Sequence, residues 1–302
     1  MLWPHLTAIA RARARTDLLA VTLLALLILP HPPVWAQEQG KDQQKCINQV
    51  NKNFAKVAEA QGKEACECIK RASKGLLQGQ TVEGCMTADG KGKLARARQK
   101  TLAKELSSCG TLPDFGYTSA ANANEAAMGK ELSLVHLIFG ADLDTGIISE
   151  FMFQNGARCQ HAVAEAAKAC HDAKLDAFNG CKKAALKGKR TPAVTSAEEL
   201  RDTCLGTGTD GMPDPKGKIR KTCVDKLGKT ISKRCTGKEV DLTVAFGGVS
   251  DPDDGDSLRD LVDQVVECQV CRAITQADGL SRDCDLFDDG VANASCVVLA
   301  LP

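Results

Sequence analysis

The residues best equipped for chemistry in this chain are its fifteen cysteines. Cys268-Gln269-Val270-Cys271 is a CxxC pair. At a helix N-terminus such a pair has a lowered thiol pKa and exchanges disulfides. No strand–helix–strand pattern surrounds it, as a thioredoxin-like site requires, and no histidine follows Cys271, as a haem-attachment site requires. Together with Cys284 and Cys296 it forms C-x2-C-x12-C-x11-C, a spacing able to hold structural zinc. In an oxidising compartment the same four residues are expected to form two disulfides, with either pairing open. The sequence thus predicts no metal, with zinc on Cys268, Cys271, Cys284 and Cys296 as the alternative.

Other reactive types are scattered. His161 and His171 flank Cys159 and Cys170, but ten residues of helix hold them about 15 Å apart, too far to share an ion. They and His136 read as ordinary surface or core histidines. The acidic runs Asp251, Asp253, Asp254, Asp256 and Asp285, Asp288, Asp289 do not fit a calcium loop. Phe287 takes a ligand position, and Cys296 stands where the closing glutamate belongs. They read as solvated acidic loops. No nucleophile elbow, phosphate loop, paired-histidine zinc motif or dinucleotide fingerprint occurs. Neither catalytic residues nor a cofactor are predicted, and the chain reads as a non-enzyme. Asn293-Ala294-Ser295 matches a glycosylation acceptor.

The N-terminus reads as a secretory leader, residues 1–36. Arg11, Arg13 and Arg15 precede an apolar run, Leu18 to Leu29, that is too short to span a bilayer. Val34-Trp35-Ala36 supplies the small residues of a cleavage site. Both tryptophans, Trp3 and Trp35, lie in this segment, leaving eight phenylalanines and Tyr117 as the aromatics. Large core side chains are therefore scarce, and disulfides are expected to replace them outside the cytoplasm, in the periplasm or medium. No later run is long and apolar enough to cross a membrane. Charge is uneven: Cys181 to Cys235 holds 14 Lys/Arg against 6 Asp/Glu, whereas Asp241 to Gly290 holds 3 against 13.

The elements that carry these residues repeat. With Cys46 laid on Cys159, CIKRASKG falls on CKKAALKG. Further on, ADGKGKLARARQKTLAKEL matches PDPKGKIRKTCVDKLGKTI. Each unit reads as two helices. Cys46, Val50, Phe54 and Val57 share one face of the first, as do Cys159, Val163, Ala167 and Cys170. Leu94, Leu102, Leu106 and Cys109 are expected to share an apolar sector of the second, with Lys and Arg opposite. Gly84, Gly90 and Gly92 break the first unit, and Gly206, Gly208, Gly211, Pro213 and Pro215 the second. Ser196 and Glu199 form a capping box. Residues 117–155 read as helical, with Leu132, Val135, His136, Phe139, Ile147, Ile148 and Phe151 packing.

Each unit is then an antiparallel hairpin, in which facing residues have a nearly constant sum of residue numbers. This predicts Cys46–Cys109, Cys68–Cys85, Cys159–Cys235, Cys170–Cys223 and Cys181–Cys204. Phe139-Gly140 precedes Cys159 as Phe246-Gly247 precedes Cys268, so Cys268 is expected to open a shortened third unit. The fifteenth cysteine, Cys66, stands about 200° from Cys68 around the helix. It should face solvent or a neighbouring module, as a free or intermolecularly paired thiol whose pKa Glu64 and Glu67 raise.

The strings CKKAALKG, DPKGK and CxxCR…DCDxFDDG resemble a group of uncharacterised cysteine-rich exported proteins of environmental bacteria. That resemblance covers most of the chain after the leader and implies export and disulfides, but no activity. The expected fold is all-α. Residues 37–110 form a first hairpin, 111–158 a helical linker, 159–236 a second hairpin, and 237–302 an acidic linker with a partial third repeat. The expected role is an exported structural or binding protein with an unknown partner. A thiol–disulfide or metal-handling protein centred on the CxxC is one alternative. A binder of anionic surface polymers through the basic helix faces is the other, since no aromatics interleave the lysines for base stacking.

Overall fold

A computed structural model describes residues 37–189, 192–207 and 211–296. The leader expectation, residues 1–36, lies outside them. The described residues are helical and contain no strand. The first hairpin is α1 (Lys41–Ser73), α2 (Val82–Ala88) and α3 (Lys93–Ser108). Then come α4 (Ala120–Phe139) and the single turn α5 (Leu143–Gly146). The second hairpin is α6 (Gln154–Ala185), α7 (Ala197–Leu205), a π-helical segment (Arg220–Lys226) and α8 (Leu227–Arg234). A short turn, α9 (Leu242–Ala245), leads to α10 (Gly255–Asp278) and α11 (Cys284–Asp289). No helix among the described residues is long and apolar enough to cross a membrane.

The long helices form where apolar or small residues recur every three to four positions without proline. On α1 the buried stripe is Cys46, Val50, Phe54, Val57, Gln61, Ala65, Cys68, and on α6 it is Cys159, Val163, Ala167, Cys170, Lys174, Phe178. Helices α3 and α4 pack on α1, while the π segment, α8 and α10 pack on α6; α1 also packs on α6, and α4 on α10. The phenylalanines of the two Phe-Gly strings meet, the rings of Phe139 and Phe246 lying 5.8 Å apart.

The matched loops fold alike. Asp89 accepts hydrogen bonds from the Leu94 and Ala95 amides, and Asp214 does the same for Lys218 and Arg220. Each carboxylate thus caps the amides that open the second helix. Gly92 and Gly217 both sit at φ +60°, a conformation that only glycine adopts without strain.

The second helices differ from expectation. On α3 the inward stripe is Leu94, Ala97, Thr101 and Glu105, and Leu106 is 90% exposed. Leu102 is also exposed. Thr101 is buried because its hydroxyl donates to the Ala97 carbonyl, which satisfies it without a partner across the interface. Phe151 is 88% exposed, since residues 147–153 form a turn rather than a helix, and Ser149 O accepts from Phe153 N there. The Ser196–Glu199 box is rearranged: Ser196 Oγ accepts from Glu199 N, but the Glu199 carboxylate bonds Thr195.

The π segment has a geometric cause. Cys170 follows Cys159 by eleven residues, but Cys235 follows Cys223 by twelve, and the bridges Cys159–Cys235 and Cys170–Cys223 tie the two helices at both points. Ile219, Cys223, Leu227, Ile231 and Cys235 must all face α6 at steps of four. On a regular α-helix each such step overshoots by about 40°. The wider π turn takes up the extra residue and keeps the five on one side.

Replacing Cys170 and Cys223 together by alanine should lower the unfolding free energy by about 2–4 kcal/mol in urea titration. Non-reduced peptide mapping of the native protein should recover the Cys170–Cys223 peptide. Recovering Cys170 bonded to a cysteine of the first hairpin would overturn this architecture.

Candidate functional site

The structure joins Cys46 to Cys109, Cys68 to Cys85, Cys159 to Cys235, Cys170 to Cys223 and Cys181 to Cys204. These are the partners that the hairpin register gives. The four C-terminal sulfurs pair as Cys268–Cys296 and Cys271–Cys284. The two cysteines of the CxxC are therefore bonded to other partners and not to each other, and both are buried within α10. Cys268 lies in the second half of that helix and does not open a unit. Like Cys68 and Cys181, Cys271 lies in the last third of a long helix and bonds the short helix that follows. Seven disulfides mark a protein of an oxidising compartment.

Cys66 is the free cysteine, and of the two settings expected for it, solvent or a neighbouring module, it takes the second and is buried. Helix α1 turns this side toward α4 and α6, where Gly62, Cys66, Glu131 and Lys168 border a cavity of about 20 Å³, room for one water. Burial pushes the thiol up to about 12, helped by Glu131 and not by its sequence neighbours Glu64 and Glu67. A thiol so held is a poor nucleophile.

The acidic runs mostly close the chain's own loops. Asp254 caps α10, accepting from Asp256 N and Ser257 N. Asp285 accepts from Ala294 N and Cys296 N, and these bonds hold its carboxyl below the ordinary range.

Sequence reasoning missed a set of buried charges. Lys182 is 1% exposed, with Nζ 2.7 Å from Asp278 and donating to the Gly116 carbonyl. Burial pushes Asp278 up and Lys182 down, so each is driven toward neutrality against the attraction of the other. Asn51 also donates to Asp278, joining α1 and α10 across α6. Lys174 pairs with Asp263 and Glu267 of α10. His171 is fully buried with Nδ1 2.7 Å from Glu131 Oε1. Burial works against its protonation, the Glu131 carboxylate works for it, and the net shift is upward. His136 is buried beside Glu83, and His161 faces Glu165 half-buried. The signal that could have found these charges is placement: Lys174 and Lys182 fall on the inward stripe of α6.

The open surface of interest lies between the antiparallel α1 and α6. Asn51 meets Asn179 on its floor, and a groove of about 590 Å³ runs past Lys52, Lys56 and Asp176. Toward the start of α1 it opens into a depression of about 650 Å³. This is lined by Lys41, Lys45, Lys183, Lys187 and Lys189 with Gln44, Asn48 and Gln49, and by no carboxylate. All five lysines are exposed, and none forms a salt bridge within the described residues. The basic surface here falls on the first helices and the turn after α6, in addition to the second helices where the sequence placed it. No family model, curated protein or solved structure matches the chain.

Three measurements follow from this geometry. Gly62→Ala would place a Cβ 2.9 Å from Glu131 Oε2 and Lys168 Cγ and should cost about 1–3 kcal/mol in stability by denaturant titration. Cys66 should resist iodoacetamide in the native protein and react once urea unfolds it; rapid native labelling would contradict its burial. Tyr117, the sole tyrosine, donates to Glu105, and burial together with that carboxylate raises its pKa. Because the folded state holds this proton more tightly, stability should fall as pH rises above about 10, the ordinary tyrosine value. Absorbance titration of the folded protein should show phenolate forming only above that value.

Proposed function

We propose that this is an exported, non-enzymatic binding protein that holds an acidic polysaccharide of the cell surface or medium. The observation that carries this reading is the lysine-lined depression between α1 and α6. Five ammonium groups without a neutralising carboxylate in the lining leave a local positive potential on a chain whose net charge is only +1. Three amide side chains among them can donate to and accept from sugar hydroxyls. The lining lacks aromatic side chains on which nucleobases would stack, which favours acidic sugars over single-stranded nucleic acid. Lys41 and Lys45 stand on α1 and Lys183 on α6, each helix held within its own hairpin by disulfides, while Lys187 and Lys189 lie in the turn just after α6, so three of the five charges are presented with little loss of freedom on binding.

A fluorescent oligogalacturonate should bind with an affinity that falls at least tenfold between 50 and 200 mM salt, as displaced counterions return. The Lys183→Gln, Lys187→Gln, Lys189→Gln triple variant should weaken binding at least fivefold with its circular dichroism unchanged. Equal binding of neutral dextran, or an unaffected triple variant, would sink the proposal.

A further inference from the structure

Phe151, Met152 and Phe153 are consecutive, and the first two are 88% and 86% exposed. A lone exposed apolar side chain is ordinary, but a contiguous run of large ones marks a surface that meets something. The exposure does not come from a slack loop. Gln160, a fully buried side chain of α6, holds the start of this segment: its Nε2 donates to the Gly146 and Ala245 carbonyls and its Oε1 accepts from Ile148 N, each at 2.7 Å. Glu150 N donates to the Ser73 carbonyl at the end of α1, and the Ser149 carbonyl accepts from Met152 N and Phe153 N. These bonds bring two more exposed apolar residues to the same end of the molecule, Leu76 just after Ser73 and Val244 just before Ala245.

We infer that this end of the molecule seats on the surface of an anionic phospholipid bilayer, with Phe151 and Met152 entering below the headgroups. Charge complementarity selects that occupant. Lys74 ends α1 and Arg158 stands in the second turn of α6; both are exposed, and neither forms a salt bridge within the described residues. Helix α6 opens at Phe153 without a side-chain cap, so the positive end of a 32-residue helix lies beside the apolar run, where phosphate groups are favoured. The carboxylates of the preceding turn are directed elsewhere. Asp142 and Asp144 accept from backbone amides, and Glu150 is half-buried. Seating of this kind places apolar side chains in the acyl boundary and cations at headgroup level, and it needs no membrane-spanning helix. A second copy of the chain fits less well, because a two-fold contact would set Lys74, Arg158 and the α6 N-terminus of one copy against the same groups of the other. The surface lies at the opposite end of α1 from the lysine-lined depression, so it stands independently of the polysaccharide reading.

The test is cosedimentation of the oxidised protein, as recovered from an exporting host, with sucrose-loaded vesicles. One set is phosphatidylcholine and phosphatidylglycerol in equal parts, the other phosphatidylcholine alone. Binding to the mixed vesicles is expected to be at least tenfold stronger than to the neutral ones. Phe151→Ser combined with Met152→Ser should weaken it at least tenfold, since two large apolar side chains no longer leave water. Lys74→Gln combined with Arg158→Gln should weaken binding to the mixed vesicles at least threefold and leave binding to the neutral ones unchanged. Leu106→Ser removes an equally exposed apolar side chain from α3 and should change nothing. All five positions are exposed, so the variants should keep the wild-type circular dichroism. Equal binding to both vesicle types, full binding by the Phe151 and Met152 variant, or an equal loss in the Leu106 variant would overturn the assignment. So would a lipid-free dimer that the Phe151 and Met152 variant dissolves, which would give the surface to a second copy of the chain.

Discussion

The bridges between each long helix and its partner are the constraint on which the rest of this molecule depends. The core is built largely from leucine, cysteine, alanine and valine, with few rings to fill space. Thin helices of this kind gain little from burial per residue, and long ones must still hold their register over 32 or 33 residues. Bridges at both ends of α1 and at three points along α6 supply what the side chains do not. The π turn opposite α6 shows how strict that register is. The backbone of the second helix changes its winding so that the cysteines can meet.

Within the space that the bridges define, charge does work usually left to apolar packing. Lys174 and Lys182 extend from α6 to carboxylates of α10, and His171 reaches Glu131 of α4. A buried pair recovers its desolvation cost only with good geometry, so such contacts fix which helix lies beside which more than they add stability. They also tie α10, which carries its own two bridges but none to the hairpins, to the second of them.

The helical class, the two hairpins and the pairing of ten cysteines were legible in the sequence because each rests on helical periodicity, which is local. Matched strings around Asp89 and Asp214 were legible for the same reason: a capping carboxylate and a left-handed glycine work within six residues. The inward placement of Lys174 and Lys182 was there to be read, but their partners were not, since Asn51 and Asp278, or Lys174 and Glu267, come together only through tertiary packing. Cys66 illustrates the same limit. Its angle away from Cys68 takes it off the hairpin seam, but the sequence leaves open whether water or a neighbouring module covers that side of α1, and only the packing of α4 and α6 decides for the second. Leu106 fails in the other direction, because the inward stripe of α3 runs through Leu94, Ala97, Thr101 and Glu105 and leaves Leu106 about 100° or more around the helix from it.

The bridges also enclose nearly every connection inside the hairpins. Cys68–Cys85 encircles the turn between α1 and α2, Cys46–Cys109 the loop before α3, Cys181–Cys204 the stretch between α6 and α7, and Cys170–Cys223 the long glycine- and proline-rich loop after α7. A protease cutting any of these loops would leave both sides covalently attached and in register. In an oxidising compartment, where the bridges persist, such a chain tolerates nicks without losing its form.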